Sequence, residues 1–197
     1  MTHLGGSRPH ALTALAAAIA LAFALLFAAG PAAERADAAS ACQRFADVPV
    51  YKLRNGPARK AVVCLLNKQR KSQGISKLDN DRKLQRAAQK HNDLMVDKKC
   101  FAHECPGESS LEQRLRSVDY LRGGLTRWAY GENIAYGEKG RSTPKSIVSA
   151  WMKSSGHRAN ILNPLFKEIG VGITDGTPYS RKAKGGTYTT DFGLAQG

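Results

Sequence analysis

The spacing of apolar residues changes along this chain, and that change limits the fold more than any other feature. Up to Gly156 apolar side chains recur mostly at three- and four-residue intervals; from Glu168 onward they alternate with glycine or with polar residues. "NGPARKAVVCLLNKQRKSQG" predicts a helix from Pro57 to Ser72, with Val62, Leu65, Leu66 and Gln69 on one face. "LDNDRKLQRAAQKHNDLMVDKK" is the clearest helix. Its stripe is Leu84, Ala87, Ala88, His91, Leu94 and Met95, and Asp79 or Asn80 can cap it. "SSLEQRLRSVDY" is a shorter helix capped by Ser109 or Ser110. In "STPKSIVSAWMKSSG", Thr143 is the expected N-cap, Pro144 the first helical residue and Gly156 the stop, with Ile147, Val148, Trp151 and Met152 facing inward. "EIGVGIT" and "TYTTDFGLA" read as strands joined by the polar, basic hairpin "DGTPYSRKAKGG", and "GENIAYG" accommodates a further short strand. Helices first and strands last, with few strands in all, predict an α+β fold: helices packed on a small, mostly antiparallel sheet.

The N-terminus has a different character. Arg8 precedes an uncharged run from Ala11 to Ala29, which gives way to the small, polar "PAAERADAAS". That is the signature of a secretory signal peptide. Ala36-Asp37-Ala38 supplies an A-x-A site, so cleavage is expected before Ala39. The chain then divides into a leader (1–38), an N-terminal arm (39–56) and one domain (57–197). About 160 residues follow the leader, enough for a single core that buries roughly 70% of the unfolded surface. The apolar run is also about long enough to cross a bilayer, so a retained anchor is the alternative.

The formal net charge is +14, and the leader's Arg8 and Arg35 are balanced by Glu34 and Asp37. An exported protein this basic is expected to adhere to anionic envelope polymers or to an anionic membrane surface. Nucleic acid is not expected. The lysines and arginines are scattered along amphipathic helices, and no aromatic stacking motif accompanies them. A monomer is expected.

Four cysteines, Cys42, Cys64, Cys100 and Cys105, follow the leader. An even count in an exported chain suggests two disulfides, for which three connectivities exist. Cys100 and Cys105 bracket a short loop and pair easily, which would leave Cys42 to tie the arm to the helix carrying Cys64. Zinc ligation by the four is the weaker alternative, because no C-x-x-C pair occurs.

Three places put ionisable groups in unusual settings. His103 lies in the cysteine-bounded "CFAHECPG"; Glu132 lies in the apolar "GENIAYG"; His157 follows the expected helix stop in "SSGHRANIL". Two imidazoles and a carboxylate are the ligand set of many catalytic zinc sites and also a general acid–base set. Each has a structural alternative: backbone hydrogen bonds at turns for the histidines, capping of orphan amides for the glutamate. Arg158 presents five donors in a fixed fork and is expected to brace the elbow after the helix. Asn133 is expected to tie down the Glu132 segment, His91 to be a satisfied core histidine, Trp151 and Phe166 to be core, and Tyr136 to line a cleft.

"GENIAYG", "AWMKSSGHRANILNPLFKEIGVGI" and "YTTDFG", with "LLNKQRKSQGISKL", "LQRAAQKHNDLM" and "FAHECP" ahead of them, resemble the CAP superfamily over about Ala58 to Gly193. That group holds cysteine-rich secretory proteins, venom allergens, plant pathogenesis-related proteins and many bacterial secreted proteins. The resemblance implies an α-β-α sandwich with a cleft on one side. In eukaryotic members two histidines and two glutamates face that cleft and can take a divalent metal. His103, Glu132 and His157 match three of the four positions. The second glutamate follows the tryptophan of the fourth helix, and here Trp151 is followed by Met152, Lys153, Ser154 and Ser155, none acidic. Weak zinc binding at most is therefore expected.

Three functions follow as expectations. The first is a secreted, non-enzymatic binding module, since eukaryotic members bind sterols and fatty acids. The second is a metal-dependent hydrolase using the His103–Glu132–His157 trio. The third is an envelope protein held to polyanions by charge.

Overall fold

The structure is a computed structural model that describes residues 42–197; the expected leader lies outside them. Among the described residues, the main elements of the domain are α1 (Asn55–Ser72), β1 (Asp79–Asn80), α2 (Arg82–Asp97), α3 (Leu111–Ser117), β2 (Arg127–Glu138), α4 (Pro144–Lys153), α5 (Ser155–Ile161), β3 (Glu168–Asp175) and β4 (Gly185–Gln196). The sheet order is β1-β3-β4-β2. Only the two-residue β1 runs parallel to its neighbour; β3–β4 and β2–β4 are antiparallel. The α+β expectation holds.

Strand alternation divides the side chains between two layers. One face carries Ile169, Val171, Ile173, Tyr188 and Phe192 into the main core with Val62, Leu66, Ile147, Val148, Trp151 and Phe166 from α1, α4 and their surroundings. The other face meets α2 and α3. Gly170 and Gly172 of β3 face α2 directly: a β-carbon on either would run into the α2 backbone at Leu84–Gln85 or Ala88–Gln89. The alternating glycines of "EIGVGIT" therefore let a helix lie against the strand at close range. Leu84, Ala87 and Leu115 join Val118, Tyr120 and Leu121 in a second core there.

Local signals account for most of the helix ends. Ser110 and Gln113 form a reciprocal capping box on α3. The Thr143 side chain accepts from Ser146 N at 3.1 Å and Pro144 opens α4. Both disulfides, Cys42–Cys64 and Cys100–Cys105, are formed.

Three expectations need correction. The cap of α2 is Asp81, whose Oδ1 accepts from Lys83 N and Leu84 N at 2.8 Å; Asp79 and Asn80 are drawn into β1 by pairing with Glu168 and Ile169. The "GENIAYG" strand is the middle of a twelve-residue strand, because its whole length pairs with β4. The helix carrying Trp151 ends before Gly156. Ser154 takes an extended conformation (φ −89°, ψ 125°) and breaks the chain, and α5 begins at once. Gly156 is inside α5 rather than a stop, and its φ is not positive.

Candidate functional site

The break at Ser154 decides where His157 goes. His157 sits in the first turn of α5, and Arg158 N closes that turn on Ser154 O at 2.9 Å. Two amides hold this turn to β2. Asn133 Nδ2 donates to His157 O at 3.1 Å, and Asn160 Nδ2 donates to Glu132 O at 3.1 Å and to Asn133 Oδ1 at 2.9 Å. Asn133 is fully buried, so its role is to fasten α5 to the Glu132 segment. Arg158 is exposed and reaches only Met152 O, at 3.4 Å. That bond spans the α4–α5 break weakly, and the segment after α5 is braced separately by Arg70. That side chain is fully buried and donates to Ser76 O, Ile161 O, Asn163 O and Phe166 O at 2.7–3.0 Å.

His103 is held from the other side. The Cys100–Cys105 bridge closes its loop, and Glu108 Oε2 accepts from Cys105 N at 3.1 Å. His103 Nδ1 lies 2.8 Å from Glu132 Oε1. A carboxylate can only accept, so Nδ1 is the donor, and Nε2 sits at the other edge of a ring whose side chain is 58% exposed. Arg114 of α3 donates to Glu132 Oε2 and to His103 O, both at 3.0 Å.

Glu132 is thus a buried anion with both oxygens engaged. Burial opposes its charge, but the His103 hydrogen bond and the Arg114 and His91 charges outweigh burial and hold the carboxyl below its ordinary range. Directly opposite on β4 stands Asp191, fully buried. Burial, then the neighbouring Glu132 charge, pushes its carboxyl well above the ordinary range. That shift favours the neutral acid at Asp191, neither of whose oxygens has a hydrogen-bond partner. His91 is buried as expected, with Nδ1 2.7 Å from Glu108 Oε1; its Nε2 has no hydrogen-bond partner and lies 3.8 Å from Glu132 Oε1.

In front of this network is an open cleft of about 640 Å³. His103 and His157 line it, with Ser154, and the rest of its wall is largely apolar: Phe101, Ile134, Tyr136, Trp151 and alanines. Tyr136 lies where the sequence suggested. Burial, and then the charge of His103, lowers the pKa of His157. Glu132 stands behind His103, and Asn133 and Arg158 do not line the cleft.

The expected metal set does not fit this arrangement. Among the described residues, no three His, Cys, Asp or Glu side chains form a group that could hold a metal ion. The physical reason is that Glu132 spends Oε1 on His103 and Oε2 on Arg114. Two imidazoles are left, one fewer than the three protein ligands of a catalytic zinc site. Glu108, Arg114, Asn160 and Asp191 were not singled out from the sequence. A faint signal existed for Asp191, an acid in the middle of an otherwise β-branched and aromatic strand.

A small, mostly antiparallel sheet covered by helices on both faces, with an open cleft beside it, is an α+β sandwich. The family model for the cysteine-rich secretory protein family (CAP) matches residues 63–190, and the chain belongs to that family. It is 41% identical over 116 residues to YkwD of Bacillus subtilis, a match covering 59% of this chain and 42% of that protein. It is 30% identical over 118 residues to the membrane protein YlbC of the same organism, covering 59% of this chain and 31% of that one. The matched region is thus less than half the length of either relative. Among solved structures, an extracellular SCP-domain protein of Bacillus anthracis is similar at TM-score 0.55 and 25% identity, covering 74% of this chain and 44% of that one. An outer surface protein of Borrelia burgdorferi is similar in fold at TM-score 0.61 and 17% identity, covering 73% of this chain and 97% of that one.

Proposed function

We propose that this chain is a secreted, non-enzymatic binding module whose cleft takes a small ligand with an apolar body and a polar end. The observation that carries the reading is the commitment of Glu132. The one carboxylate adjoining a cleft histidine is buried behind that ring and neutralised by Arg114. What remains facing the cleft is an apolar wall with two imidazoles, of a volume ordinary for ligand pockets. The metal-dependent hydrolase reading loses its third ligand by the same geometry. Export is supported by the leader-like N-terminus and by the extracellular Bacillus anthracis relative. Among the described residues no helix is long and apolar enough to cross a membrane.

Ala150 lines the cleft from an exposed position on α4. Ala150→Trp is expected to fill the cleft and abolish displacement of a bound anilinonaphthalene probe by long-chain fatty acids, with the unfolding transition unchanged. Turnover of ester or peptide substrates that disappears with His103→Ala would overturn the non-enzymatic reading.

A further inference from the structure

At one end of the cleft, where Phe101 and Tyr136 form part of the wall, the aromatic surface continues outward to Tyr179, which does not line the cleft. Phe101, Tyr136 and Tyr179 form a chain of edge-to-face rings, with centroids 5.0 Å and then 5.5 Å apart. They come from three separate segments: the disulfide loop, β2, and the β3–β4 hairpin. All three are exposed, and Tyr179 at 62% is the most exposed large hydrophobic residue described. Buried area does not explain an aromatic at the tip of a hairpin.

Cations flank the strip. The hairpin brings Lys182 and Lys184, and its backbone is joined to the next turn by Lys139 N donating to Lys184 O at 2.7 Å. That turn adds Lys139 and Arg141, and Arg141 lies near enough to Tyr136 to affect its phenol. All four side chains are exposed. The acids nearby are Asp97, which is used by Arg181, Glu138 beside Tyr136, Asp175 at the start of the hairpin and exposed Glu104 in the disulfide loop of Phe101. The excess is positive, in line with the whole chain.

We infer that the Phe101–Tyr136–Tyr179 strip and the cations beside it form a binding site for an acidic polysaccharide. A sugar ring offers one apolar C–H face and a rim of hydroxyls, which suits rings that carry phenol groups at their edges. Carboxylate or phosphate substituents along the polymer suit the cations of the joined hairpin and turn, and exposed cations of this kind attract polyanions over a Debye length. This site rests on the reading that the chain is an extracellular binding module, but not on what fills the cleft.

The probes are polygalacturonate, its methyl ester, poly-glutamate, vesicles of phosphatidylcholine with one-quarter phosphatidylglycerol, and oligo-thymidylate, compared by equilibrium binding at fixed ionic strength. Polygalacturonate is expected to bind most tightly, and its uncharged ester at least about tenfold more weakly, the order of a few lost ion contacts. Tyr179→Ala, which removes an exposed side chain and leaves the fold intact, is expected to weaken polygalacturonate at least about fivefold, the low end of what one aromatic stacking contact supplies. The same variant is expected to leave poly-glutamate and fatty-acid displacement unchanged. Lys182→Ala with Lys184→Ala is expected to weaken both polyanions. Poly-glutamate binding as tightly as polygalacturonate, or Tyr179→Ala acting on both alike, reduces the site to charge alone and overturns the inference. Tighter binding to vesicles or to oligo-thymidylate, or no binding of polygalacturonate, overturns it as well. Fatty-acid displacement that survives any of these results leaves the cleft reading standing.

Discussion

Glu132 and Asp191 stand directly opposite each other on β2 and β4, both buried, and their carboxyls are pushed in opposite directions, Glu132 below its ordinary range and Asp191 well above it. An ionised Asp191 would have no donor for either oxygen. The neutral acid can donate to Glu132, whose charge Arg114 and His103 already stabilise. Two like carboxylates at a cross-strand position are repulsive when both are charged. A proton on Asp191 removes that repulsion and keeps Glu132 as the acceptor for His103.

Asp191→Asn is expected to keep a donor opposite Glu132 without the proton requirement. Asp191 has a raised folded-state pKa, so its native form binds a proton that the unfolded form releases above about pH 3.9, and stability is lost as pH rises past that value. The variant is therefore expected to be more stable than wild type at pH 7, with the advantage shrinking as pH falls toward 4. Urea unfolding across that range measures it; a pH-independent difference contradicts a proton on Asp191.

His157 has a lowered folded-state pKa. The unfolded chain binds this proton first as pH falls below about 6.5, so the native state loses stability as pH drops from there toward the folded value. His157→Gln is expected to reduce that loss. Ring-proton chemical shifts should titrate below 6.5 in the folded protein, and a normal or higher midpoint would show that His103 and burial do not act on it.

Arg70→Met is expected to cost at least about 3 kcal/mol, because it strips buried carbonyls of their donors. Arg70→Lys is expected to recover little of this, since an ammonium cannot serve four carbonyls through a planar fork. Denaturant midpoints give both values. Hydrogen exchange should also quicken in α5 and its following turn, the segment that holds His157.

Replacing Cys100 and Cys105 by alanine is expected to cost about 2 kcal/mol, and replacing Cys42 and Cys64 about 3 kcal/mol, as the larger loop constrains the unfolded chain more. Only the first pair should also raise the mobility of His103. Thermal unfolding and relaxation of the His103 ring separate the two effects.

Features that depend on neighbours in the chain were legible in the sequence. Ser110 and Thr143 cap their helices, Pro144 opens α4, and the Leu84–Met95 stripe faces inward. A cap or an amphipathic stripe is complete within one or two turns, so residue order determines it. Cys100 and Cys105 pair for the same reason of proximity. The family motifs also drew attention to His103, Glu132 and His157, but not to how their atoms are used.

Tertiary contacts decided the rest. Arg70 reads as an ordinary basic residue in the last turn of a helix; its burial depends on carbonyls 91 to 96 residues away. Ser154, not Gly156, breaks the α4–α5 segment, where α5 is fastened to β2 through Asn133 and Asn160. The Asp191 carboxyl is pushed up first by burial and then by Glu132, which strand register sets across from it. Glu132 is a supporting carboxylate because Arg114 and His103 reach its two oxygens from separate segments. Sequence supplies donors, acceptors and charges, but which of them meet away from water is set by packing, and only there do desolvation and like-charge repulsion become large enough to choose protonation states.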